Sequence, residues 1–399
     1  MLYFALKFLL LLLKFKSIYK SNTMAKYYAI LLFVFTGFYA RAQNAVPVTI
    51  KQVAAGTVKF QGGTNTCWSF STTSLLESGE IMNDKKDIDL SELYTSRNLF
   101  IEKAKRYILS NGTTLFEAGA LSHDALYGIE KYGAMPNEFY PRKKGVDFSV
   151  SSPLQLDTIL KRYLDSVLKV KPIDANWLAG FIKKHDEIVG VPPAKFTWEG
   201  KEYTPLTFAK EVLKFNKNDY VTITSFIHHP FYKNFPLEIP DNFLLRANYL
   251  NVPLDELIGI ARQVIEKGNS LVVDMDVSNN GWNCDRAGYA LFEAARFNSV
   301  ADPDTAEMAV SPQLRQQLFE TLVTQDDHLI HIVGIAKSKN GKLFFILKDS
   351  FGSNNGPFKG YDYISVNYFS INALSITVPV AALDDKYLKL AKEPAVEVN

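Results

Sequence analysis

The stretch from Gln61 to Ser71, QGGTNTCWSFS, constrains this chain most: a polar, glycine-containing loop runs straight into a helix-like segment at a single cysteine. A thiol is a useful nucleophile only as thiolate, a form favoured by the positive end of a helix dipole and by a nearby imidazolium. Trp68, Phe70, Leu75, Leu76, Ile81 and Met82 give the apolar pattern of a buried helix reaching about Met82, with no proline to stop it. Gln61 lies six positions before Cys67. Its side-chain amide can therefore return over the loop and donate to an oxyanion beside the sulfur. The plain alternative is a buried cysteine opening an ordinary core helix, and the rest of the chain decides between the two.

At 399 residues and 47% hydrophobic content the chain can bury a large core, in one elaborated domain or two. Residues 1–42 hold six cations (Lys7, Lys14, Lys16, Lys20, Lys26, Arg41) and no acid, so the formal +2 of the whole becomes −4 for the remainder. That balance gives no electrostatic reason to expect a nucleic-acid partner. Met24-Ala25-Lys26, the apolar run Tyr27 to Tyr39 and Ala40-Arg41-Ala42 have the charged start, short core and A-x-A end of a secretory signal peptide. Cleavage is expected after Ala42, with export to a periplasmic or secreted location. The segment before Met24 reads as an upstream start, and each apolar run is shorter than the roughly 20 residues a spanning helix needs. Only Cys67 and Cys284 remain after cleavage. That pair excludes a disulfide framework and leaves one bridge open, although a catalytic Cys67 must be free.

Gln-x5-Cys-Trp-Ser-Phe-Ser resembles the active-site segment of papain-like cysteine peptidases. It departs from the family's C-G-[SA]-C-[WY] at Thr64, which removes a disulfide partner and not the nucleophile. Leu90-Ser91-Glu92, where Ser91 can cap a helix running to about Ser110, is similar to the family's next segment. The run from Ile129 to Pro141, IEKYGAMPNEFYP, resembles the bleomycin hydrolase and aminopeptidase C subfamily. In that subfamily the loop before the preceding helix (here Leu121 to Tyr132) lines the cleft, which implies that Ala118 and Gly119 contact substrate. Residues of about 150–220 alternate helical patterns (Leu154 to Lys169, Leu178 to His185, Thr207 to Phe215) with a loop from Val191 to Tyr203. They resemble the helical insertion that helps these enzymes associate, implying a homo-oligomer, a hexamer by resemblance.

Tyr220 to Phe226 is a strand by β-branched content, and the following His228-His229-Pro230 has no third metal ligand at readable spacing, so it reads as a proline-capped loop. A helix from Asn251 to Lys267 and a buried strand from Ser270 to Val277 resemble the segment ahead of the subfamily's histidine region. Trp282 to Phe297, with Cys284, reads as a loop without a role. A cysteine nucleophile needs a base and a group to orient it. Asp326-Asp327-His328-Leu329-Ile330-His331-Ile332-Val333-Gly334 is an apolar strand entered at His328, and in papain-like enzymes the catalytic histidine lies six positions before such a glycine. His331, three positions on, should face the other side of the strand and be structural. Asp349-Ser350-Phe351-Gly352 then stands where the family has Asn-Ser-Trp-Gly. The resemblance makes Asp349 the orienter of His328 and Phe351 the shield over their contact. Cys67 and His328 are 261 positions apart, against roughly 130 to 150 in papain and cathepsins, the excess being the insertion.

The resemblance implies an α+β papain-like fold. Its helical left lobe carries the nucleophile, its β-barrel-like right lobe carries His328 and Asp349, and the peptidase domain spans 43–399. It further implies hydrolysis of peptide substrates through a thioester, with no metal or organic cofactor. In bleomycin hydrolase-like enzymes the chain end lies in the cleft and restricts cleavage to the N-terminal residue. Val380 to Asn399 does not visibly match that tail, although 393–399 could fill the cleft. An aminopeptidase is the expectation; a weakly active binding or assembly module and a thiol amidase on non-peptide amides are the alternatives.

Overall fold

The computed structural model describes residues 46–396 apart from 85, 148, 150–154 and 293–301, so the expected signal segment lies outside the described residues. The chain enters through strand β1 (Val48–Gln52) and builds three helices, α1 (Cys67–Asp84), α2 (Glu92–Leu109) and α3 (Ser122–Tyr132). Ser91 starts α2 as its sequence suggests, its Oγ accepting from the Tyr94 N–H at 3.3 Å. Helices α4 (Leu156–Leu168) and α5 (Trp177–Val189) follow, then strands β2 (Phe196–Trp198) and β3 (Lys201–Tyr203) and helix α6 (Pro205–Glu211). The loop expected over Val191 to Tyr203 is therefore partly a hairpin. Its turn residues Glu199 and Gly200 both have positive φ, 47° and 81°, as a tight two-residue turn with the twist of its strands requires.

The remaining chain forms one eleven-stranded sheet from β1 and β4 (Tyr220–Thr224), β5 (Asn234–Pro236), β6 (Asn248–Asn251), β7 (Leu271–Met275), β8 (Trp282–Asn283), β9 (Tyr289–Ala290), β10 (His328–Lys337), β11 (Leu343–Lys348), β12 (Tyr361–Ser365) and β13 (Ala373–Pro379). Their order is β5-β6-β4-β13-β7-β10-β11-β12-β9-β8, with β1 also paired to β10. Helices α7 (Leu254–Glu266), α8 (Cys284–Ala287), α9 (Pro312–Glu320), α10 (Val366–Asn372) and α11 (Asp385–Ala391) connect or flank these strands. The loop expected around Cys284 is thus a strand, a single helical turn and a second strand, because β9 finds a parallel partner in β12 far along the chain. The central strands β7 and β10 are covered on both faces, which is why their sequences run apolar without alternation.

Helix α1 lies against β10 and β7. Lys59 ties it to α2: its ammonium meets Glu77 at 2.7 Å, Glu92 at 2.6 Å and Asp89 at 2.5 Å. Both glutamates are almost wholly buried, so this one lysine offsets their desolvation and fixes the helix start relative to its neighbours.

Candidate active site

The loop before α1 closes on itself without the disulfide that Thr64 rules out. The Thr64 hydroxyl donates to the Gln61 carbonyl at 2.9 Å and lies 2.6 Å from the Thr66 hydroxyl. The Thr66 carbonyl accepts from the N–H groups of Ser69 and Phe70, starting the helix, and Cys67 becomes its first residue. The sulfur therefore lies at the positive end of an 18-residue helix. Trp68 anchors the turn from behind: its ring is 1% exposed and its Nε1 donates to the Ala118 carbonyl at 3.0 Å.

Strand β10 brings His328 to this turn. Its Nε2 is 2.9 Å from Asp349 Oδ1, and the ring also interacts with the Cys67 sulfur, for which Nδ1 is left. Burial of the ring opposes its protonation, but the Asp349 carboxylate and the sulfur outweigh burial and push His328 up to about 10. A charged imidazole beside a sulfur at a helix N-terminus is the setting in which thiols act as nucleophiles. Asp349 Oδ1 also accepts from the Ser350 N–H at 2.6 Å, so its orientation is fixed from two sides. Phe351 stacks on the histidine, ring centroids 5.1 Å apart and planes 19° from parallel. The chain turns away at Gly352, whose φ of 85° a side chain would strain and whose N–H donates to the Lys59 carbonyl at 3.0 Å.

Gln61 joins the same cluster through Ser350, a residue to which the sequence reading gave no part. The Gln61 N–H donates to the Ser350 carbonyl at 2.7 Å, and the Ser350 hydroxyl donates to Gln61 Oε1 at 2.6 Å. With its oxygen engaged, the Gln61 amide presents its two N–H donors. Its place beside an Asp349 expected to orient the histidine was the available signal.

Cys67, His328, Asp349, Gln61 and Phe351 thus come together. Ala118 and Gly119 approach from the Trp68 side, with the Ala118 carbonyl already accepting from Trp68 and from Lys103. A side chain at Gly119 would lie 2.2 Å from an Asp241 oxygen, so only glycine lets that carboxylate so near the backbone. His331 stands apart: its Nδ1 is 2.8 Å from the Ser74 hydroxyl, and burial and Lys348 hold it well below the usual imidazole range. Cys67 and Cys284 are both free. Burial, then Asp362 and Asp349, push the Cys284 thiol far above its ordinary range, which makes it inert. The His228-His229 pair does gain a third neighbour that sequence spacing did not reveal, Glu238, at 3.2 and 2.7 Å from the two rings. At the chain end, the Val396 N–H donates to the Asn234 carbonyl at 2.8 Å and Val396 packs against the apolar cluster that includes Cys67; residues 397–399 lie outside the described residues.

A helix-borne thiol, a histidine on a facing strand and an acid behind it, in a mixed helix-and-sheet architecture, define a papain-like fold and the class of cysteine peptidases. The chain belongs to the peptidase C1-like family, whose model matches residues 122–399; that span holds His328 and Asp349 and begins after Cys67. Among solved structures, the PepW of "lactobacillus rhamnosis" HN001 superimposes with a TM-score of 0.69 at 19% identity, covering 96% of this chain and 94% of that one. A structure addressing the mite allergens Blo t 1 and Der p 1 gives 0.41 at 14% identity over 85% and 72% of the two chains. Bromelain from Ananas comosus with the E64 inhibitor gives 0.37 at 14% over 84% and 99%. No curated protein matches the sequence.

Proposed function

We propose that this protein hydrolyses peptide bonds through a thioester, and that it is an aminopeptidase of the aminopeptidase C and bleomycin hydrolase type. The observation that carries the reading is the shared ring of His328, held by Asp349 at 2.9 Å and interacting with the sulfur of Cys67. In the first half-reaction the Cys67 thiolate attacks the peptide carbonyl carbon. Gln61 Nε2 and the Cys67 N–H hold the oxyanion, and the His328 imidazolium gives its proton to the leaving amine as the C–N bond breaks. Water then attacks the thioester, His328 takes its proton, and the C–S bond breaks to release the acid. The sequence resemblance over Ile129 to Pro141 supports the aminopeptidase type, and export directed by residues 1–42 and assembly into a homo-oligomer belong to the same reading.

The test is cleavage of a peptide library with Cys67→Ala as control. Release of single N-terminal residues by the wild type and none by the variant is expected; internal cuts alone would remove the aminopeptidase assignment, and absence of cleavage would remove the peptidase reading.

A further inference from the structure

The pair His228-His229, which peptide hydrolysis leaves unused, closes with Glu238 around one point. The histidines lie in the loop after β4 and Glu238 follows β5, so the three side chains bracket that strand from both ends. His228 Nε2 is 3.2 Å from Glu238 Oε2, and His229 Nε2 is 2.7 Å from Glu238 Oε1. One nitrogen or oxygen from each of the three residues lies within 4.8 Å of the other two. Zinc bonds of about 2.0–2.2 Å to nitrogen and oxygen, at tetrahedral angles, place ligand atoms about 3.3–3.6 Å apart. The observed spacings are near these, and the Glu238 side chain, 47% exposed, can turn to meet them.

The rings are held from behind. Gln316, a buried residue of α9, meets His228 Nδ1 with its Oε1 at 3.3 Å and its Nε2 at 2.9 Å. Its amide is itself oriented, Oε1 accepting from the Ile227 N–H and Nε2 donating to Glu320 Oε1, each at 2.8 Å. With a proton on His228 Nδ1 donated to that Oε1, Nε2 keeps a lone pair on the Glu238 side, the tautomer a ligand histidine needs. Asn251, wholly buried, sets the loop: its Nδ2 donates to the carbonyls of Phe226 at 2.8 Å and His229 at 3.0 Å, and its Oδ1 accepts from the Phe226 N–H at 2.9 Å. Burial would raise the Glu238 carboxyl, but the hydrogen bonds from His229 and His228 hold it below its ordinary range, so it is ionised and fit to meet a cation. The acids around Lys59 already hold an ammonium. Here the carboxylate's partners are imidazoles, which can exchange a proton for a metal.

We infer that His228, His229 and Glu238 bind a divalent cation of the zinc class, with water completing its coordination on the solvent side. Two imidazoles and one carboxylate are a donor set for zinc and not for calcium or magnesium, which take oxygen. The effect follows from the place. Strand β5 is three residues long and lies at the edge of the sheet, and a metal joining residues 228 and 229 to 238 ties down both its ends. That strand carries Asn234, whose carbonyl accepts from the Val396 N–H, and Phe235, which packs in the apolar cluster that includes Cys67. The metal is a staple for this edge. It takes no part in peptide hydrolysis, and the site stands whether or not the peptidase reading does.

The test uses the full chain, stripped of metal, with Cys67→Ala so that the thiol cannot take the probe, which is zinc chloride. Isothermal titration should give one zinc per chain with a Kd in the micromolar range or tighter, and the wild type titrated beside it should show the same site. Zinc at about a hundredfold over Kd should raise Tm by about 3 °C, and calcium should not. His228→Gln and Glu238→Gln, each introduced alone, should weaken zinc binding at least about tenfold and abolish the rise in Tm, while the zinc-free Tm of each variant shows that it folds. Absence of zinc binding by the Cys67→Ala chain overturns the site, and so does binding that both variants retain unchanged. An equal rise in Tm with calcium overturns the zinc assignment.

Discussion

Replacing Asp349 by asparagine restores the neutral orienter of the papain-like pattern and removes the charge that His328 faces. Burial alone would lower the histidine, yet it stands at about 10 against an ordinary 6.5, so its anionic neighbours more than repay the desolvation. Each pKa unit is worth about 1.4 kcal/mol between the two protonation states. The rise is shared between Asp349 and Cys67, with Asp349 the larger contributor, so Asp349→Asn should lower the histidine by more than about one unit. The alkaline limb of the pH profile of kcat/KM should move towards neutrality by at least that amount. Linkage gives the same sign in stability: a raised folded-state pKa stabilises below about 6.5, and the effect is lost as pH rises through about 10. The stability difference between wild type and variant, read from urea unfolding, should therefore be largest near pH 6 and fade by pH 10. Superimposable pH–rate profiles would refute the idea that the carboxylate sets the histidine.

Three further outcomes follow from the structure. Gln61→Ala should lower kcat by about 10²–10³-fold with little change in KM, since it removes the proposed donor to the developing oxyanion. Ser350→Ala, which only frees the Gln61 side chain to wander, should cost about fivefold, the worth of one ordinary hydrogen bond. Lys59→Met leaves Glu77 and Glu92 buried without their cation and should destabilise the fold by about 3–5 kcal/mol in urea titrations. Glu77 already stands at about 7, raised first by burial, so protonation relieves the strain at low pH and the loss should be greater at pH 8 than at pH 5.

The placement of the cysteine half of the candidate site was legible because each of its requirements is local. Cys67 opens a helix whose apolar residues follow it directly, and Gln61 returns over a five-residue loop. His328 and Asp349 were legible through family spacing, not through any periodicity. What sequence could not show depends on pairing between distant segments. Ser350 acquires a part only when β11 delivers it beside Gln61, and the hairpin from Phe196 to Tyr203 was hidden because three-residue strands leave no alternation to read. Strand Tyr289–Ala290 exists only through its distant partner β12. Asp274 is the sharpest case. In sequence it is one acid within an apolar strand, and only the packing of β7 against β10, with Pro240–Phe243 nearby, reveals that it shares its surroundings with Asp326 and Asp241.

The central claim is that Cys67 is the nucleophile of a cysteine peptidase served by His328. Mass spectrometry after treatment with a neutral peptidyl epoxide tests it most directly. One adduct is expected, on Cys67 and not on the buried Cys284, with loss of peptide cleavage in proportion to labelling. An unlabelled Cys67, or full cleavage activity remaining once Cys67 is labelled, would contradict the account.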